Sequence, residues 1–377
     1  MHDKKEYKIV NVLILLIKKY LMNLDLSIVI LTFQRQFIIR RLIPFYRNLP
    51  YKIVILDGTH NSMTDIFPSN VSYVHGPESY IERLTIITNY ISTPYFCLCS
   101  DDEFRFTETL ESSVNFLKNH SGYSSCSGYP VTHSCYPGIF TKKIFGFDRF
   151  YTNPIIKPCF EFSSEIYDNK IINRRIVSHF KSYSPRFYYS VLRTNNWEKL
   201  TPCLKAASEK LEVRGLIELI VEYSCLVLGE AHLIEKPMWY FSQLIGNQDS
   251  NKQVDSILST LNPTLSEKWP LLTTNFKIEF IEALSNASPS IDFSYLDEAF
   301  TLYSKYNEEE EFKLKNKFSS NIRKKINSIL NILKSDFLLI LAYLFRPYFS
   351  KIFSSGNNLS RSNKIDLKKF IFNMIDK

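Results

Sequence analysis

Residues 26–31 are apolar and largely β-branched, with Ser27 the one exception, the unbroken pattern of a strand covered on both faces. Three more short apolar runs follow at 52–56, 71–74 and 95–99. Between them stand segments with helical spacing. Residues 37–46 form the first, and 78–91 the second, with Ile81, Leu84, Ile87 and Ile91 on one face. Residues 107–119 read as a third, with Glu108 and Glu111 near its start, where acids complement the helix dipole. Strands alternating with helices at this spacing predict an α/β domain with a mostly parallel sheet flanked by helices.

The pattern loosens over 120–200, which is rich in Tyr, Ser and Pro and carries a strand-like piece at 186–192. Residues 211–228 then form a largely apolar helix ended by Gly229, a residue suited to a C-cap. A strand is expected at 232–240. Beyond about Gly246 the pattern turns helical, with an acidic run at 308–311 that reads as a solvated helix face and a Ser/Asn-rich linker at 354–363. The apolar stretch 9–17 is too short to span a bilayer, and no small-residue cleavage site follows it. It is expected to be a short helix on the domain or on a membrane. The expected organisation is a helical segment over 1–23, an α/β domain over 24–245 and an α-helical C-terminal extension over 246–377.

A length of 377 residues accommodates one large or two modest domains. Glycine is scarce, at 10 residues, and none falls in 32–40, which excludes a glycine-rich phosphate loop after the first strand. Seven cysteines without a C-x-x-C pair, beside seven histidines without zinc-ligand spacing, argue against a zinc site. Their apolar surroundings read as core positions of a reduced, cytoplasmic protein. The net charge of +8 is concentrated near the C-terminus, where Arg323, Lys324, Lys325, Lys334, Arg346 and Lys351 alternate with Ile, Leu and Phe. Nucleic acid is not expected as a partner. The interleaved apolar residues fit an anionic membrane surface better, as peripheral contact through the C-terminal region at the inner face of the membrane.

In open α/β sheets, ligands bind at the carboxyl ends of strands. Here the first strand ends in Thr32 to Arg35, the second in Asp57-Gly58-Thr59, and the fourth in Ser100-Asp101-Asp102-Glu103. Three consecutive acids repel one another, and a divalent cation with a taste for hard oxygen ligands, Mn²⁺ or Mg²⁺, would offset that repulsion. The same triplet could instead open a surface loop and cap the next helix. Asp57 could bind a ribose or a base, or belong to an ordinary Asp-Gly turn. Glu218 and Glu222 lie four apart on the 211–228 helix. Either would suit a general base near an acceptor hydroxyl, or both could lie on a solvated stripe.

These elements together resemble the family 2-like glycosyltransferases of GT-A fold. The matches are the strand 27–32 with Arg35, the Ile55-Leu-Asp-Gly-Thr59 element, the run 93–104 leading into a D-x-D-like motif, and Glu218 followed by Gly229 and Ile234-Glu-Lys-Pro237. The resemblance covers roughly 26–242. It implies a nucleotide-diphospho-sugar transferase-like fold, a nucleotide-sugar donor, and a saccharide or lipid-linked acceptor. It further implies that Thr32, Arg35, Asp57, Arg83 and Asp101 line the nucleotide-sugar pocket and that Asp101, Asp102 and Glu103 hold the metal. Glu218, with Glu222 as its rival, would deprotonate the acceptor in an inverting displacement during cell-surface polysaccharide synthesis. A sugar nucleotidyltransferase shares the strand order but needs the glycine-rich loop. A non-catalytic GT-A-like assembly partner at the membrane would be favoured by lost acids, and all three are present.

Overall fold

The computed structural model describes residues 25–134, 155–158, 169–181, 183, 186–210, 214–241 and 274–318. The expected segment over 1–23, most of the C-terminal basic residues and the linker at 354–363 lie outside them. β1 (Leu26–Thr32) runs parallel between β2 (Lys52–Asp57) and β4 (Tyr95–Ser100), and β3 (Val71–His75) adds to the far side of β2 in the same direction. Alternate residues of β1 enter two cores: Ile28 and Ile30 pack with Ile38 and Leu42 on one face, and Val29 with Leu84 and Phe96 on the other. The unbroken apolar run has this cause, since a strand covered on both faces needs apolar side chains at every position.

Past β4 the sheet turns mixed. Its order is β3-β2-β1-β4-β8-β6-β9-β5, with β7 (Ile155–Pro158) paired to β6. β8 (Val191–Arg193) is antiparallel to β4, and β6 (Tyr123–Ser134) antiparallel to β8. β9 (Glu230–Phe241) lies parallel to β6, while β5 (Glu103–Arg105) is antiparallel to β9. The expectation of a mostly parallel sheet therefore holds for the first four strands and not for the rest. β5 and β8 are three residues each, too short to register as a period.

Helices cover both faces. α1 (Gln36–Tyr46) and α3 (Thr107–Asn119) serve one, and α2 (Tyr80–Thr85), α4 (Ile172–Lys181), α5 (Thr194–Lys210) and α6 (Arg214–Leu228) serve the other. The helix expected over 78–91 is shorter than its apolar face. It closes at Thr85 and resumes as a single 3₁₀ turn at Ile87–Asn89, although Ile81, Leu84, Ile87 and Ile91 are all buried. The run Thr85-Ile86-Ile87-Thr88 is β-branched throughout, which disfavours α-helix.

α7 (Thr274–Ala287) and α8 (Leu296–Phe318) bury Phe280, Leu284, Phe300 and Tyr303 in the same core as Leu200, Leu204 and Phe180. Gly229 ends α6 for want of space: a Cβ there would lie 2.7 Å from the Gly122 carbonyl oxygen and 2.8 Å from the Ser124 nitrogen. The five described cysteines are all buried and free. Among the described residues no helix is long and apolar enough to cross a membrane.

Candidate active site

The register of the parallel strands places Thr32 beside Asp57 and Leu31 beside Ser100, so three carboxyl ends meet on one edge. The Thr32 hydroxyl donates to Asp101 Oδ2 at 2.7 Å. Arg35, at the entrance to α1, spans the next two acids: Nη1 lies 3.0 Å from Asp101 Oδ1 and Nη2 2.7 Å from Asp102 Oδ2. The tight turn into α1 is made by Gln34, a non-glycine residue at φ 57°. Its N–H donates to Thr59 Oγ1 at 2.8 Å, which ties the ends of β1 and β2 together.

Asp57 is fully buried and fully engaged. Oδ1 accepts from the Thr59 N–H at 2.8 Å, and Oδ2 from Gln36 Nε2 at 2.7 Å and the Tyr73 hydroxyl at 2.8 Å. Burial, with Asp57 adding to it, pushes the Tyr73 phenol up to about 12, so it remains a donor at neutral pH. Gly58 leaves room for Arg83. A Cβ there would sit 1.5 Å from Arg83 Nη1 and 2.7 Å from the Pro77 carbonyl oxygen. Arg83 Nη1 donates to the Pro77 and Glu78 carbonyls at 2.9 and 2.7 Å, and its guanidinium carbon lies 5.7 Å from the Phe33 ring centroid.

The acidic triplet is divided. Asp101 and Asp102 face Arg35, whereas Glu103 Oε2 accepts from the Ser100 N–H at 3.1 Å and lies 3.3 Å from Arg105 Nη2. Arg105 is buried, with its guanidinium carbon 5.5 Å from the Tyr189 ring centroid and 5.6 Å from that of Trp239, and it also donates to the Leu98 carbonyl. Two guanidinium groups, of Arg35 and Arg105, thus offset repulsion among the three acids. Among the described residues no group of three or more acids, histidines or cysteines is arranged to hold a metal ion. The surface-loop alternative for the triplet does not hold, because Asp101 is only 2% exposed and Glu103 7%, and Phe106, not an acid, precedes α3.

Burial raises the Asp101 carboxyl to about 7, with Asp102 and Glu103 adding to the rise while Arg35 and the Thr32 hydroxyl oppose it. The unfolded chain loses this proton near 3.8, so between those values the folded state binds more protons. The stability gained from this group is complete below the unfolded value and is lost as pH rises through the folded one. In chelator-treated protein, moving from about pH 5 to about pH 8 is expected to lower the unfolding free energy by about 3 kcal/mol through this group. Urea unfolding of wild type and Asp101→Asn at both values checks it. Identical pH dependence in the two proteins would refute the shift.

The two acids of α6 are placed differently. Glu222 is fully buried, accepts from the Tyr188 N–H at 2.6 Å and stands 2.9 Å from His179 Nε2. Glu218 is half-buried. Both lie close enough to Tyr183 to help raise its phenol, after burial, which is the larger cause. The turn 187–190 links α6 to the strand-end acids: Tyr188 meets Tyr80 hydroxyl to hydroxyl, and Tyr189 stacks on Trp239 beside Arg105. Residues that sequence reasoning did not single out are Gln34, Gln36, Tyr73, Arg105 and His179. Of these, Gln34 and Gln36, which flank Arg35, and Tyr73, in the third apolar run, stood near a strand end in the sequence.

No family model matches the sequence, and no curated protein is similar to it. Among solved structures, the chain is similar to S. aureus TarS 1-349 at 10% identity and a TM-score of 0.38, over 78% of this chain and 92% of that one. A second S. aureus TarS structure is similar at 10% identity and a TM-score of 0.37, over 75% of this chain and 55% of that one.

Proposed function

We propose that the chain is a GT-A-type glycosyltransferase that moves a sugar, with inversion, from a nucleoside-diphosphate donor to a saccharide or lipid-linked acceptor. The setting we propose is cell-surface polysaccharide synthesis at the cytoplasmic face of the membrane. One observation carries the reading: Arg35 clamps Asp101 and Asp102 beside Thr32 and Asp57, where three parallel strands end. A guanidinium held by two carboxylates is a displaceable cation at the place where an open α/β sheet receives phosphates. In this reading Arg35 swings from the carboxylates to the donor diphosphate. Thr32 holds Asp101, and Arg83, fixed by carbonyls behind Gly58, gives the pocket positive charge. Asp57 positions the 57–59 turn through Thr59, Gln36 and Tyr73, which sets the wall of the nucleotide pocket.

A divalent cation fits two of the three acids. Mg²⁺ or Mn²⁺ is commonly held by one or two carboxylates together with substrate phosphates, and Asp101 and Asp102 present such a pair once Arg35 has moved. When bound, the ion would neutralise charge on the departing diphosphate. Glu103 would support the pair from behind through Arg105. Glu218, the more accessible acid of α6, takes the proton from the acceptor hydroxyl at its carboxylate.

Thermal-shift measurements with UDP-, GDP-, TDP- and CMP-sugars, with and without Mn²⁺, test the reading. One donor is expected to raise the midpoint in a Mn²⁺-dependent way, by the equivalent of about 2.7 kcal/mol at a hundredfold excess over Kd. Asp102→Ala is expected to lose that dependence. Indifference of the wild type to every nucleotide would remove the support for the reading.

A further inference from the structure

The outer face of α1 combines arginines with exposed apolar surface. Phe37, Arg40, Pro44 and Arg47 are all exposed along it, Arg41 lies over the Phe37 ring at 5.6 Å, and the helix contains no acid. The loop after β2 meets this face. Arg40 Nε is 2.9 Å from Asp65 Oδ2, and the next residue, Ile66, is 93% exposed. That exposure belongs to an anchored loop. The Met63 N–H donates to the Tyr73 hydroxyl at 2.9 Å and Phe67 stacks on Tyr73 at 5.0 Å, so residues on both sides of Ile66 are pinned to β3. An anchored loop therefore holds an isoleucine in water next to Asp65, whose partner Arg40 lies one helical turn from the exposed Phe37, and three arginines against Asp65 give the face a positive balance.

We infer that this face docks the protein on an anionic lipid bilayer, with Ile66 and Phe37 entering the interface and Arg40, Arg41 and Arg47 meeting lipid phosphates. Apolar side chains that project from a basic, acid-poor helix face match the amphipathic character of a bilayer surface. A purely polar anion would leave Ile66 in water. The surface is distinct from the C-terminal basic stretch. It also has a consequence for the site: Arg35 and Gln36, which contact Asp101, Asp102 and Asp57, begin the same helix. Docking would set the edge of the candidate site at the membrane, within reach of a lipid-linked acceptor. That consequence rests on the transferase reading; the docking does not.

The test uses the full chain carrying Ile66→Cys labelled with an environment-sensitive nitrobenzoxadiazole probe. Label on the unsubstituted protein serves as background, the five described cysteines being buried. Phosphatidylcholine vesicles with phosphatidylglycerol are expected to shift the emission to the blue and to make it quenchable by headgroup-region nitroxide lipids. Vesicles of phosphatidylcholine alone are expected to do neither. In sedimentation, Phe37→Ser/Ile66→Ser is expected to weaken partitioning onto the anionic vesicles by about tenfold or more, and Arg41→Glu/Arg47→Glu by a similar factor. Ile278→Ser, at another exposed isoleucine, is expected to leave it unchanged. A probe that stays in water while the protein sediments with vesicles would show that another surface binds, and would overturn the inference. Failure to bind anionic vesicles at all would overturn it too. Neither readout involves sugar transfer, so both are independent of the proposed activity.

Discussion

Glu218→Gln is expected to lower kcat by about 10²–10⁴-fold, the usual contribution of a general base, with a melting temperature close to that of the wild type. Glu218 is half-buried and so, in the proposed reaction, is the α6 acid assigned to the acceptor hydroxyl. Glu222 is expected to behave in the opposite way. Its carboxylate is fully buried between the Tyr188 N–H at 2.6 Å and His179 Nε2 at 2.9 Å. Gln keeps an oxygen for the Tyr188 N–H but loses the charge facing His179, and a mismatched buried polar pair costs about 1–3 kcal/mol. Glu222→Gln should therefore lose stability and keep turnover per folded molecule within about tenfold, well short of a lost base. Turnover with the donor that stabilises the chain, measured beside calorimetric melting of both variants, separates the two. A collapse of kcat in Glu222→Gln at unchanged melting temperature would transfer the base role to Glu222.

The strand-end logic was readable in the sequence because it depends on local pattern. An apolar β-branched run ending in polar residues marks both a buried strand and the place where its carboxyl end opens, and β1, β2 and β4 all follow it. Thr32, Asp57 and Asp101 came together for that reason alone. What the sequence could not supply was the partner of each charge. Arg35 and Asp102 are 67 residues apart, and their pairing depends on the sheet register. Arg105 stands two residues from Glu103 on a strand of three, where both side chains fall on the same side of the sheet. So short a segment gave no sign that the third acid would turn inward to a buried arginine. The distinction between Glu218 and Glu222 was equally hidden. Four residues apart on one helix they share a face, and only the packing of His179 and the 187–190 turn against the second decides which is buried.

Arg35→Met tests the centre of the site. In the wild type, Arg35 is what holds the buried Asp101 carboxyl down against burial and its two acidic neighbours. Without the guanidinium that carboxyl rises further, so the part of the penalty that comes from Asp101 appears only where the wild-type group would ionise. The sign follows from linkage: a carboxyl whose folded value is raised contributes stability at low pH that disappears as pH rises through that value. Near pH 5, where Asp101 is protonated in both folded proteins, the variant should differ from the wild type only by the lost Asp102 contact, worth up to about 1 kcal/mol. By about pH 8 it should be less stable by about 1–3 kcal/mol, a range discounted for the partial exposure of Arg35. Mn²⁺ adds the decisive comparison. If the guanidinium and a divalent ion compete for the same two carboxylates, the ion should raise the melting temperature of Arg35→Met more than that of the wild type at pH 8. Donor affinity should nonetheless fall in the variant, because the diphosphate has lost its arginine. An ion that stabilises neither protein would leave Arg35 as the only cation of the Asp101–Asp102 pair and would end the two-carboxylate metal proposal.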